Sequence, residues 1–330
     1  MIQKTLILFA LAMIAISPSF AYDTKRQDVA DFIQDVSKRN ELDPKQLTMW
    51  LEQAEKKQNI LDAISRPAEG KPWHEYRKIF ITERRINAGV TFWEENAEDI
   101  RRISQQTGVA DKTIVAIIGV ESFFGRITGS FRVIDALATL AFDYPKRSKF
   151  FTKELEQFFL LIDEEAIDPL EATGSYAGAM GSPQFISSSY RAYAVDGNGD
   201  NKRDLWSSWP DIIASVANYF KVHRWRNAAP VAVPAQVSTR AGQYLAENKL
   251  TPKHTVGELR RNGVVFETEL PDDAKAMLIE LEAVDGPEYW VCFHNFSVIT
   301  KYNRSILYAM AVHQLGDLIE QQRAQSLSSR

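Results

Sequence analysis

The sequence predicts an α+β protein that is mainly helical, and three observations carry the prediction. Apolar residues recur at helical three- and four-residue spacing from Val29 onward. At Pro230 the texture changes to short segments rich in β-branched residues, set between Asn-Gly and Asp-Gly turn signals. Helical spacing then returns in Tyr302 to Leu318. A chain of 330 residues is long enough for more than one folded unit, and 45% hydrophobic with 25% charged residues is an ordinary globular composition. The formal net charge of -4 argues against a nucleic-acid partner, because neutralising phosphates requires a basic surface.

The first segment has a separate job. Met1-Ile2-Gln3-Lys4 is a short basic start, Thr5 to Ile16 is apolar, and Ser17-Pro18-Ser19-Phe20-Ala21 ends in a small-x-small pattern. Residues 1–21 therefore read as a cleavable secretory signal, with a mature chain starting near Tyr22. The apolar stretch is short for a bilayer span, which takes about 20 residues, although an uncleaved anchor remains the alternative. No cysteine stands at the processing site to carry a lipid. The single cysteine, Cys292, cannot make an internal disulfide and is expected as a buried strand residue.

Helices follow in order. Val29, Phe32, Ile33 and Val36 define the first, and Leu47, Trp50 and Leu51 a second that starts at Asp43-Pro44, where proline suits the first turn. A longer helix is expected from Val90 to Thr107, stopped by Gly108. Asp111 is expected to cap the next helix, which carries Glu121, and Gly125 to end it. Beyond Pro230, Thr255-Val256-Gly257-Glu258 reads as a capping box, and Val264 to Leu270, Ala276 to Val284 and Glu288 to Val298 read as extended segments. The C-terminal helix is expected to pack back on the first helices.

The chemistry centres on Glu121. It interrupts the apolar run Ile114 to Val120 and is followed at once by Phe123, Phe124 and Gly125. A carboxylate in such surroundings loses hydration that its charged form needs, so its pKa rises toward neutrality, which suits a general acid for glycosidic bonds. Taken alone, the residue reads equally as a structural carboxylate held by partners.

Several motifs in order carry a resemblance. Ile117 to Gly125, Ile134-Asp135-Ala136-Leu137-Ala138-Thr139-Leu140, Gly174 to Gly181 with Gln184-Phe185, Ser215 to Phe220 and Tyr302-Asn303-Arg304-Ser305 together resemble the lytic murein transglycosylase B family, glycoside hydrolase family 103. The resemblance implies a lysozyme-like catalytic core at 111–229 with an EF-hand-like loop. It is flanked by an N-terminal helical domain at 22–110, a small β-rich domain at 230–298 and a C-terminal helix at 299–330. The implied substrate is the glycan strand of peptidoglycan. The implied reaction cuts the bond between N-acetylmuramic acid and N-acetylglucosamine and closes a 1,6-anhydro ring, with Glu121 as the sole acid and base. No cofactor is implied for catalysis. The expected setting is the periplasm, with a monomer as the working form and other cell-wall enzymes as candidate partners.

The same resemblance implies further site residues. Ser122, Ser175 and Gln184 would line the saccharide site, with Tyr76, Tyr219, Tyr302, Asn303 and Tyr308 around the cleft. Lys146 and Arg147 stand where the family usually has two arginines that meet anionic groups. The glycine-rich loop Gly174 to Gly181 lets backbone approach a ligand, or else needs glycine for its own turns. Asp135 is the nearest downstream carboxylate and reads as a helix cap more than a nucleophile. Asp196, Asn198, Asp200, the Lys202 carbonyl and Asp211 would surround one structural calcium, although Asn201 replaces glycine at the sixth loop position and Ser207 replaces glutamate at the twelfth. A polar turn without an ion is the alternative. A binding module without activity and a lysozyme-type hydrolase also remain compatible with the sequence.

Overall fold

In the computed structural model the described residues are 20–65 and 70–328, so the signal segment lies outside them apart from its last two residues. Helix α1 (Gln27–Asn40) buries Val29, Phe32, Ile33 and Val36, and α2 (Pro44–Gln53) buries Leu47 and Leu51. The Asp43 side chain caps α2 by accepting from the Lys45 N–H. Strands β1 (Phe20–Ala21) and β2 (Glu55–Lys56) pair antiparallel before α3 (Gln58–Ile64) and α4 (Trp73–Phe80).

The expected helix from Val90 to Thr107 is two helices: α5 (Glu83–Glu95) and α6 (Ala97–Thr107) break at Asn96. The side chain of Asn96 turns back to the Phe92 carbonyl, competing with the helix ladder, as asparagine tends to do. Gly108 stops α6 in the left-handed conformation, φ 73°.

Helix α7 (Asp111–Ser122) is buried along nearly its whole length and forms the centre of the larger core. Asp111 is not its cap: Ala110 is, without a side-chain bond, and Asp111 stands in the first turn. Helix α8 (Val133–Asp143) follows β3 (Phe131–Arg132), and α9 (Ser148–Glu165) packs along α8. Asp135 is likewise no cap. It is buried in the first turn of α8, where it takes two bonds from Arg132 and one from the Glu55 N–H. Strand β4 (Thr173–Gly174) pairs with β3, then come α10 (Ser187–Tyr193) and α11 (Trp209–Val222).

The β-rich part is a five-stranded antiparallel sheet in the order β6-β8-β9-β5-β7. Its strands are β5 (Ala232–Val237), β6 (His254–Thr255), β7 (Val264–Val265), β8 (Lys275–Ala283) and β9 (Gly286–Cys292). The short helices α12 (Arg240–Gln243) and α13 (Val256–Arg261) lie between strands, and Thr255 caps α13 by accepting from the Glu258 N–H. Val256, Leu259, Val264, Phe266, Leu278, Val291 and Phe293 form a core of its own. Cys292 is buried at the end of β9.

The extended segment expected through Val298 stops at Cys292. Helix α14 (His294–Tyr302) begins two residues later and buries Phe296, Val298 and Ile299 in the larger core. Phe296 and Ile299 form a helical face that the β-branched residues Val298, Ile299 and Thr300 mask in the sequence. Helix α15 (Ile306–Ser328) packs on α7 and, within the 22–110 segment, on α5 and α4 more than on α1 and α2. No helix among the described residues is long and apolar enough to cross a membrane.

Candidate active site

Glu121 is the penultimate residue of α7, and the way that helix ends sets its direction. The chain leaves α7 through two successive left-handed residues, Phe123 (φ 52°) and Phe124 (φ 58°), and Gly125 comes only after the helix has closed. Bulky residues pay for that conformation in backbone strain, so packing must hold them there. The Phe124 ring stacks on Phe92 at 5.3 Å between centroids and fills space that Gly119 leaves open, where a Cβ would come within 2.7 Å of the ring. The Phe123 and Phe124 N–H groups close on the Gly119 and Ile118 carbonyls.

The result is a half-buried Glu121 side chain on the wall of a cleft of about 450 Å³. Ser175, Gln184, Tyr219, Tyr302 and Asn303, all expected at the site, line the same cleft. Tyr308, from α15, donates its hydroxyl to Glu121 Oε1 at 2.5 Å. Tyr76, expected around the cleft, is buried and not among the residues lining it; it packs on Phe80 at 5.2 Å between rings, close enough to disfavour ionisation of Tyr308.

Burial raises the Glu121 pKa from its ordinary 4.5 to about 7, and the Tyr308 hydroxyl, which favours the carboxylate, offsets only part of that rise. The position on the helix reinforces the effect. Near a helix C-terminus the unpaired backbone groups are carbonyls, so no free N–H is at hand to solvate a negative charge. Burial and the Glu121 charge in turn hold the Tyr308 and Tyr302 phenols well above their ordinary range, so both stay protonated donors.

Several polar groups at the cleft already have partners. Tyr219 donates to the Lys301 carbonyl and Tyr302 to the Pro183 carbonyl, each at 2.7 Å, so these two present ring faces and lone pairs rather than free O–H donors. The Ser175 hydroxyl accepts from the Ala177 and Ala179 N–H groups and pins the loop. The Gln184 amide nitrogen donates to the Thr128 and Gly181 carbonyls, which leaves its oxygen to accept.

Two expectations need correction. Ser122 is buried; its hydroxyl donates to the Ile118 carbonyl and accepts from the Gly125 N–H, so it closes the helix and does not face a sugar. The glycines of the 174–181 loop face protein, not ligand. A Cβ on Gly178 would strike Leu137 at 2.5 Å, and one on Gly181 would strike the Leu205 carbonyl at 2.2 Å, both at positive φ. The cleft side of that loop is made by Ser175, Tyr176, Ala177 and Ala179.

Lys146 and Arg147 occupy an exposed 3-10 turn, residues Pro145–Arg147, and are not among the residues lining this cleft; Arg147 stacks on Phe150 at 4.3 Å. Tyr176, Phe185, Ile186, Ser189 and Lys301 line it and were not anticipated. Lys301 and Phe185 were signalled by adjacency to Tyr302-Asn303 and Gln184.

The acidic loop folds as its spacing suggests. Carboxylate oxygens of Asp196, Asp200 and Asp211 lie within 4.8 Å of one another. Asp196 accepts from the Asn198, Gly199 and Asn201 N–H groups. Asn201, in the place of the usual glycine, adopts the left-handed conformation at φ 65°, which asparagine tolerates. Asp211, fully buried, accepts from Gly197 and Asp204 and ties the two ends of the loop together. Three carboxylates thus converge, part of the roughly six to eight oxygens that calcium takes, and both oxygens of Asp211 already accept from backbone N–H groups.

The family model described as the transglycosylase SLT domain matches residues 24–317. Membrane-bound lytic murein transglycosylase B of Escherichia coli strain K12 is 40% identical over 305 residues, covering 89% of this chain and 83% of its own length. Among solved structures, the soluble lytic transglycosylase SltB1 of Pseudomonas aeruginosa superposes with a TM-score of 0.85 at 49% identity, covering 89% of this chain and 99% of that one. The E. coli lytic transglycosylase Slt35 in complex with calcium gives 0.84 at 39% identity, over 93% and 97%. SltB3 of P. aeruginosa in complex with NAG-anhNAM-pentapeptide gives 0.80 at 29% identity, over 88% and 78%. The fold is accordingly the mainly helical, lysozyme-like α+β fold of these enzymes, and the chain belongs to the SLT transglycosylase family as a lytic murein transglycosylase.

Proposed function

We propose that Glu121 is the single general acid and base of the reaction and that the product carries a 1,6-anhydromuramyl end. The observation that carries the proposal is the isolation of this group: among the described residues it is the one carboxylate lining the cleft, and burial pushes its pKa up to about 7. A two-carboxylate glycosidase needs a partner about 5–5.5 Å away when retaining and roughly 6.5–9.5 Å away when inverting.

Protonated Glu121 gives its proton to the glycosidic oxygen as the bond from that oxygen to C1 of the muramyl sugar breaks. The resulting carboxylate takes the proton from the C6 hydroxyl of the same sugar, whose oxygen closes on C1. The acid is regenerated and no water is consumed. A pKa near neutrality lets one group serve both steps, because proton donor and acceptor forms are both populated at working pH. The Tyr308 hydroxyl steadies the anionic form between the two steps. The cleft-lining Tyr219 and Tyr302 offer flat apolar surface to pyranose rings, and Asn303 and Gln184 offer polar atoms to acetamido and hydroxyl groups. Lys146 and Arg147 would meet the strand beyond this cleft.

The SltB3 complex with an anhydro-sugar peptide and the calcium complex of Slt35 support the product and the metal by likeness. In this chain Asp196, Asn198, Asp200, the Lys202 carbonyl and Asp211 would hold a structural calcium that stiffens the loop. Export through the N-terminal signal would place the enzyme in the periplasm with its substrate, acting as a monomer. Mass spectrometry of digested sacculi is the test: anhydro-ended fragments one water lighter than hydrolysis products are expected, and reducing ends would overturn the reading. Calcium titration should raise the melting temperature by a few degrees; an unchanged temperature would remove the metal.

A further inference from the structure

Beside the cleft, three guanidinium groups converge on one aromatic ring. Arg84 and Arg85 of α5 and Arg126 of the segment after α7 lie over Phe123, at 5.2, 5.0 and 5.2 Å from its centroid. Arg85 also lies over Phe80 at 5.2 Å, and its Nη1 donates to the Ile79 carbonyl at 2.6 Å. Its buried Nε has no partner among the described residues. Among the described residues, none of the three arginines forms an ion pair with a carboxylate.

Like charges gathered this closely repel, and partial burial further disfavours the charge on Arg85. Such a cluster becomes favourable when an anion sits on it. Guanidinium planes present paired N–H donors that match the two oxygens of a carboxylate. Ile79 and Ile127, 43% and 63% exposed, add apolar surface to the same patch.

The patch is tied to the cleft through a few residues of chain. The Ile127 N–H bonds to the Ser122 carbonyl at 2.8 Å, next to Glu121, and the Thr128 carbonyl accepts from cleft-lining Gln184 at 3.0 Å. A strand seated in the cleft would therefore hold its substituents near these arginines. A membrane surface would call for cations spread over a face; here they crowd one ring on a protein of net charge -4.

We propose that Arg84, Arg85 and Arg126 bind a carboxylate of the peptide carried by the glycan strand, with Ile79 and Ile127 against its aliphatic side chains. This rests on the reading of the cleft as a peptidoglycan site. The arginines select peptide-bearing strands and take no part in the bond-breaking step.

The test uses the full mature chain with Arg84→Gln and Arg126→Gln together, both exposed positions, against sacculi bearing peptides and against glycan strands stripped of peptide by an amidase. A rise in KM of about tenfold with unchanged kcat is expected on the peptide-bearing substrate, shrinking in high salt, with no change on stripped strands. Equal loss on both substrates, or no loss on either, would overturn the proposal. So would loss of binding to phosphatidylglycerol vesicles with digestion of both substrates intact. Glu121→Gln run in parallel keeps the two readings apart: activity in that variant refutes the catalytic assignment whatever the arginines do, whereas a wild-type-like arginine variant beside a dead Glu121→Gln refutes only the peptide site.

Discussion

Glu121 and Asp196 are carboxylates in two regions of one core, and desolvation heads the influences on both, yet they move in opposite directions. Asp196 is held below its ordinary range because the N–H groups of Gly199, Asn201, Asp200 and Asn198 together outweigh desolvation. Among the described residues Glu121 has one donor, the Tyr308 hydroxyl, and rises to about 7. The difference is burial and backbone geometry together: Glu121 is enclosed at the end of α7, whose last turn offers carbonyls, whereas Asp196 sits on a solvated loop that winds its own N–H groups around the carboxylate. Burial with one donor makes Glu121 an acid, and solvation with several N–H donors keeps Asp196 a fixed anion.

The largest effect should come from removing the donor-poor group. Glu121→Gln is expected to lower turnover of sacculi by about a thousandfold or more, measured as release of soluble muropeptides, while strands still bind. The same variant should be the more stable protein in alkali. The folded pKa lies above the ordinary value of 4.5, so the cost of ionising Glu121 is absent below about pH 4.5 and fully present above about pH 7. Denaturant unfolding at pH 8 should show a gain of about 3 kcal/mol for Glu121→Gln that disappears at pH 4. No gain at pH 8 would mean that the carboxylate is better solvated than the cleft implies.

The donor-rich region should respond in stability instead. Asp211→Ala leaves the half-buried Gly197 and Asp204 N–H groups without their carboxylate, at a cost of about 1–3 kcal/mol in chemical denaturation, with activity per folded molecule retained. A smaller effect sharpens the comparison at the cleft. Tyr308→Phe removes the one donor that favours the carboxylate, so the alkaline limb of kcat/KM should move to higher pH, with less than tenfold loss of kcat below pH 6. Movement toward lower pH would contradict the role given to that hydroxyl.

Much of this was legible in the sequence because it depends on local chemistry. The apolar run around Glu121 implied its desolvation, Asp43-Pro44 marked the start of α2, and the alternating oxygens of 196–204 closed into the loop they suggested. The turn after Glu121 was misplaced because phenylalanine rarely takes a left-handed conformation. Only the tertiary fit of the Phe124 ring against Gly119 and Phe92 explains why Phe123 and Phe124 do so here. The break at Asn96 and the helix at His294–Tyr302 were hidden for a related reason, since periodicity weakens where a side chain competes for backbone or a β-branched run covers a helical face. The arginines on Phe123 come from α5 and from the segment after α7, and no linear pattern announces that meeting.

The claim on which the account rests is the protonation of one side chain. Carboxyl carbon chemical shifts followed by NMR in protein labelled at glutamate, with Glu121→Gln to assign the resonance, should give a midpoint near 7 for Glu121. A midpoint near the ordinary 4.5 would leave it ionised at working pH, unable to donate a proton, and would contradict the account.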